Sequence, residues 1–126
     1  MSFQKILLLA LAGACGSTAR YFFYLLTNRF FTGSFPWSTI CVNAIGCFVF
    51  GLLHSLSMNR LFISGETRII ILVGFVGAFT TFSAFAFESV EFFSHSQWAL
   101  GLGNLLIENV AVIVFLFMGM AIGRIL

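Results

Sequence analysis

Gly74-Phe75-Val76-Gly77-Ala78-Phe79-Thr80-Thr81-Phe82-Ser83-Ala84-Phe85-Ala86-Phe87-Glu88 decides how the rest of the chain is read. Its middle coincides with the middle of an apolar segment, about Ile69–Phe93, long enough to cross a bilayer. Glycines weaken a helix, and Thr or Ser side chains can recapture backbone groups that a break sets free. Two readings of the stretch stand side by side. In one, the helix is interrupted near mid-membrane and aims free carbonyls inward. In the other, a continuous helix presents a small-residue packing face.

Working outward, three further apolar segments can be drawn at about Ile6–Leu26, Ser38–Ser57 and Trp98–Gly123. They are separated by Thr27–Trp37, with Arg29, Gly33 and the only proline, Pro36, by Met58–Arg68, and by the short Ser94–Gln97. All three breaks read as turn or interface chemistry. The 126 residues are 60% hydrophobic and 8% charged, against roughly 25% charged in soluble domains. Four spans of about 20 residues each use most of that length. Residues 1–126 are therefore expected to form a single all-α membrane domain of four transmembrane helices, since a barrel would need alternating strands.

The apolar run after Lys5 continues too far for a signal peptide and reads as a retained span. A net charge of +2, with no basic run, gives nucleic acid no footing. Cys15, Cys41 and Cys47 are odd in number, lie in apolar stretches and lack metal-ligand spacing, so they read as small apolar filler. Lys5, Arg60, Arg68 and Arg124 fall on the side of the termini, against Arg29 and Arg20 on the other. Termini inside are favoured only weakly, and a chain so weakly biased can insert both ways.

Charged or strongly polar residues within spans are costly, which makes them informative. Arg20 and Glu88 lie toward span ends, where they either snorkel to the headgroups or charge a water-filled vestibule. Asn43 shares a helical face with Cys47 and Gly51, and its ordinary role is an interhelical hydrogen bond. Asn104 and Glu108 are an i, i+4 pair whose stripe must face protein or water. Small residues at steps of four, Ala12 with Gly16 and Gly119 with Gly123, supply close-packing surfaces. Phe82 and Phe85 share one face, and either pack or line a route.

The string Gly77-Ala-Phe-Thr80-Thr81-Phe82-Ser83-Ala-Phe85 resembles the G-G-x-T-T-F-S-T-F signature of the Fluc (CrcB) fluoride channels, with Ala78 at the second Gly and Ala84 at the last Thr. Gly16, Arg20 and Tyr21 resemble that family's G-x-x-x-R-[YW], and Pro36-Trp37-Ser38-Thr39-Ile40-Cys41-Val42-Asn43 its P-x-G-T-x-x-V-N, with Ser for Gly. The three elements in order cover nearly the whole chain. The resemblance implies an antiparallel, dual-topology dimer with a broken third helix, a structural Na+ at the dimer centre and two fluoride pores in a bacterial plasma (inner) membrane. It makes the Gly77 and Thr80 carbonyls sodium ligands, and Phe82 and Phe85 the aromatic pore lining. Asn43, Thr81 and Ser83 become hydrogen-bond donors to fluoride, and Arg20 adds positive charge to the vestibule. The implied activity is passive exit of fluoride, which lowers its cytoplasmic level.

Departures concentrate in the fourth segment, where the family often carries Tyr, Ser, Thr or His and this chain offers Asn104, Glu108 and Asn109. A carboxylate beside an anion route is unexpected. A heterodimer with a paralogous subunit stands beside the homodimer for that reason. The rival reading is a small multidrug exporter, another antiparallel dimer of four short helices. That family places a carboxylate in its first helix, where this chain has Arg20 and no acid. An accessory subunit is a third reading, although the Gly-Thr-Thr-Phe-Ser cluster is more polar than packing requires. No nucleophile and base pair suggests an enzyme.

Overall fold

A computed structural model describes residues 2–59 and 64–126, so Arg60 of the charge argument lies outside the described residues. Every regular element among them is helical. The first is α1 (Phe3–Thr27) and the second α2 (Trp37–Asn59). The third span is assembled from α3 (Gly65–Ile69), a wide π-helical stretch (Ile70–Val76), α4 (Gly77–Phe79) and α5 (Phe82–Ser94). The last is α6 (Trp98–Ile125). Among the described residues the spans Phe3–Thr27, Trp37–Met58, Gly65–Ser94 and Trp98–Ile125 are long and apolar enough to cross a membrane. The chain is thus a multi-pass membrane protein of four helices.

Glycines set the helix pairs. A Cβ on Gly16 of α1 would stand 2.2 Å from the Phe75 carbonyl oxygen, so α1 lies directly on the π stretch and α4. Gly51 of α2 and Gly119 of α6 face each other's helices in the same way: added Cβ atoms would fall 2.3 Å from Leu116 O and 2.1 Å from Phe48 O. α2 and α6 make the most extensive pair in the chain. Such backbone approach is how helices gain dispersion contacts where lipid offers no hydrophobic drive.

The connections are tied off with side chains. Thr27 donates to Ser38 Oγ at 2.8 Å and Ser38 to Asn28 Oδ1 at 2.6 Å, which pins the end of α1 to the start of α2. Ser64 caps α3 by accepting from Thr67 N. Lys5 pairs with Glu66, which holds the beginning of α1 beside α3. Phe35 packs on Trp37 and Phe92, and Trp98 on Phe93, placing aromatic clusters around the far loops where a membrane interface favours them.

The third span breaks at the threonines rather than at the glycines. Gly77 keeps helical angles (φ −63°, ψ −36°), whereas Thr80 (φ −78°, ψ 160°) and Thr81 (φ −149°, ψ 112°) are extended. β-branched residues resist the helix and favour extended backbone, and Thr is also a good N-cap. Thr81 serves as one, its hydroxyl accepting from Ala84 N at 3.3 Å to start α5. The interrupted-helix reading therefore holds. The break sits in the middle of Gly65–Ser94.

Candidate functional site

An interrupted helix inside a membrane leaves backbone groups without partners, each costing several kcal/mol unless satisfied. Two side chains attend to this break. Asn43 of α2, 6% exposed, clasps Thr81 from one side: it accepts from Thr81 N at 2.7 Å and donates through Nδ2 to Thr81 O at 2.9 Å. Arg20 of α1 reaches in from the other and donates to Thr80 O at 3.1 Å. Of the two readings for Arg20, headgroup snorkelling is set aside, because its guanidinium is committed to the break. Gly46 makes room, since a Cβ there would stand 2.2 Å from Thr80 Cγ2.

A cleft of about 210 Å³ opens beside the break, lined by Asn43, Thr81, Phe82, Phe85 and Glu108 among others. The two rings meet edge to face, with centroids 5.4 Å apart and planes at 64°. They are environmentally unlike: Phe85 is 5% exposed and Phe82 76% exposed on the single chain. The hydroxyls of Thr81 and Ser83 lie 3.2 Å apart at the same level. Asn43, Thr81, Phe82 and Phe85 thus share one cleft, Ser83 adjoins it through Thr81, and Arg20 and Gly77 attend the break itself.

Asn43 has little donor capacity left. Its amide gives one hydrogen to Thr81 O and another to Glu108 Oε1 at 2.6 Å. Glu108, 4% exposed, faces this cleft, so the stripe formed with Asn104 points into protein. Asn104 is wholly buried and donates to Ser89 Oγ at 3.0 Å, and Ser89 returns a hydrogen bond to Phe85 O at 2.8 Å. That chain of contacts braces the backbone beneath Phe85. The sequence had no local signal for it, because Ser89 looks like any small helical residue.

Glu88 also reaches no headgroup. Its Oε1 accepts from Thr39 Oγ1 at 2.5 Å, and Tyr24 OH lies 3.0 Å from the same Thr39 oxygen. With its hydrogen given to Glu88, Thr39 accepts from Tyr24. The Tyr24–Thr39–Glu88 relay links α1, α2 and α5 and went unread in the sequence. Its members are spread over three spans and share no spacing.

The residues at the break suit a hard monovalent cation. Thr81 N, which would bond Gly77 O in a continuous helix, is turned to Asn43, leaving Gly77 O with only a long contact from Thr80 Oγ1 at 3.4 Å. Thr80 O has one lone pair directed at Arg20 and a second available. Neutral carbonyl oxygens are the donor set an alkali ion takes from an interrupted helix. Among the described residues no cluster of His, Cys, Asp and Glu could hold a transition metal.

The comparisons with known proteins agree with this architecture. Residues 7–120 match the family model described as CrcB-like protein, Camphor Resistance (CrcB). A protein of Nitrosococcus oceani named fluoride-specific ion channel FluC is 46% identical over 123 residues, 98% of each chain. Proteins carrying the same name from Nitratidesulfovibrio vulgaris and Desulforapulum autotrophicum are 44% and 42% identical, covering 96% and 98% of this chain and 98% of their own. With the family model spanning all four helices and relatives aligned nearly end to end, the chain belongs to the CrcB-like family.

Proposed function

We propose that the chain is a fluoride channel that lets the ion leave the cell passively across the plasma (inner) membrane of a bacterium. The observation that carries the reading is the clasped break at Thr80–Thr81, opening on a cleft whose wall includes the edge-to-face pair Phe82 and Phe85. The names of the relatives point to the same ion.

Fluoride is small and strongly hydrated, so a pore must replace its water without holding the ion too tightly to release it. Aromatic ring edges carry positive potential, and Thr81 and Ser83 supply hydroxyl donors beside them. Asn43 works first as the clasp of the break; the hydrogen it gives Glu108 is the one an arriving anion can compete for. Arg20 contributes positive charge at the same level.

Two copies inserted in opposite senses make the best sense of what the single chain leaves open. Phe82, Ser83 and Asn109 are exposed near mid-span, as is Gly77 at the break. Polar groups at that depth need protein or water rather than lipid. A second copy across a two-fold axis would cover them and add its own Gly77 and Thr80 carbonyls, giving a structural Na+ four oxygen ligands. Apolar residues around the rest of the helices face lipid. Fluoride efflux from liposomes, with chloride followed in parallel, tests the reading: selective release supports it and retention of both ions overturns it.

A further inference from the structure

The cleft beside the break contains a carboxylate whose negative charge has no cationic partner among the described residues. Glu108 is 4% exposed, its Oε1 accepts from Asn43, and its Oε2 is buried without any hydrogen-bond partner. An unpaired charge taken out of water is expensive, and proteins meet that cost with a counter-charge or a metal ion. Arg20, the basic residue that reaches the break, is directed at Thr80 O instead.

The other groups in the cleft narrow the chemistry of what could meet Oε2. Asn43 has committed its hydrogens to Thr81 O and Glu108 Oε1, and Asn109 donates its amide to Leu105 O at 2.6 Å. The polar atoms left over are oxygens: Glu108 Oε2, the Thr81 hydroxyl and the Asn109 carbonyl. Hard oxygen ligands with one full negative charge suit an alkali cation, and the faces of Phe82 and Phe85 attract positive charge too. A bare anion at the same place would be repelled.

We infer that Glu108, with Thr81 and Asn109 beside it, forms a binding site for an alkali-metal cation, separate from the carbonyls of Gly77 and Thr80. Its occupation neutralises the cleft wall, so that an anion can share the space; this consequence, unlike the site itself, rests on the fluoride reading. By linkage, cation and anion then raise each other's affinity.

The test is equilibrium binding of radioactive Na+ to the purified protein in fluoride-free buffer, comparing the native chain with Glu108→Gln and Glu108→Asp. The native chain should bind one Na+ per chain more than Glu108→Gln, and Glu108→Asp should keep that additional ion with weaker affinity. Equal counts for the native chain and Glu108→Gln overturn the site, as when a water or a proton satisfies Oε2. Loss of the additional ion from both variants overturns it as well, since the loss would follow disturbance of the cleft rather than removal of charge. Because no fluoride is present, a negative result leaves the channel reading standing. A chain that carries no fluoride can still show the additional ion.

Discussion

Phe82 and Phe85 occupy one face of α5, yet one is buried and the other bare on the single chain. Their edge-to-face contact orients both rings at the mouth of the cleft. If ring edges supply the positive potential that replaces water, Ile at either position keeps apolar bulk and removes the quadrupole. Fluoride efflux should then fall by at least about tenfold, equivalent to about 1.4 kcal/mol at the barrier. Packing alone predicts a stability change below about 1.5 kcal/mol and unchanged efflux. Phe115 on α6, outside the cleft, is the control, and Phe115→Ile should conduct normally. At this scale the sequence was informative where chemistry is local. Thr80 and Thr81 announce an interruption by their β-branching and capping ability. Asn43, Glu108 and Thr81 were each visible as polar residues in apolar segments, but their mutual hydrogen bonds span 38 and 65 positions and depend on the fold.

The helices themselves were legible from hydropathy. The expected segments at about Ile6–Leu26, Ser38–Ser57, Ile69–Phe93 and Trp98–Gly123 lie within the observed spans, and the short Ser94–Gln97 connection falls where α5 gives way to α6. The π-helical stretch Ile70–Val76 was not. Its Ile-Ile-Leu-Val run satisfies any buried helix, and the widening follows from tertiary fit against α1, where Gly74 meets Ala12. Small-residue spacing did foretell the tight pairs. Gly119 lies against the backbone of α2, with Phe48 O 2.1 Å and Leu52 N 2.9 Å from where a Cβ would be. Backbone atoms cannot rotate aside, so Gly119→Ala must push α2 and α6 apart. A loss of about 1–3 kcal/mol is expected, seen as a lower thermal midpoint in detergent. Gly33→Ala, with nothing within 4 Å, should leave that midpoint unchanged.

For the whole molecule, the weak charge bias and the polar groups exposed near mid-span both favour two copies in opposite orientations. Cysteine appended to the C-terminus should react with an impermeant thiol reagent from outside intact cells in part of the population, and in the rest only after permeabilisation. Labelling from one side alone would contradict self-assembly in opposite senses and require a second kind of subunit. The multidrug-exporter alternative finds no foothold, since α1 has Arg20 and no carboxylate. What the account asserts above all is that this chain conducts fluoride and discriminates against chloride. Ion efflux from liposomes holding the purified protein as sole component tests that most directly, with fluoride and chloride read by separate electrodes. Rapid loss of fluoride with chloride retained is the result expected. Retention of both ions, or their release at comparable rates, would contradict the account.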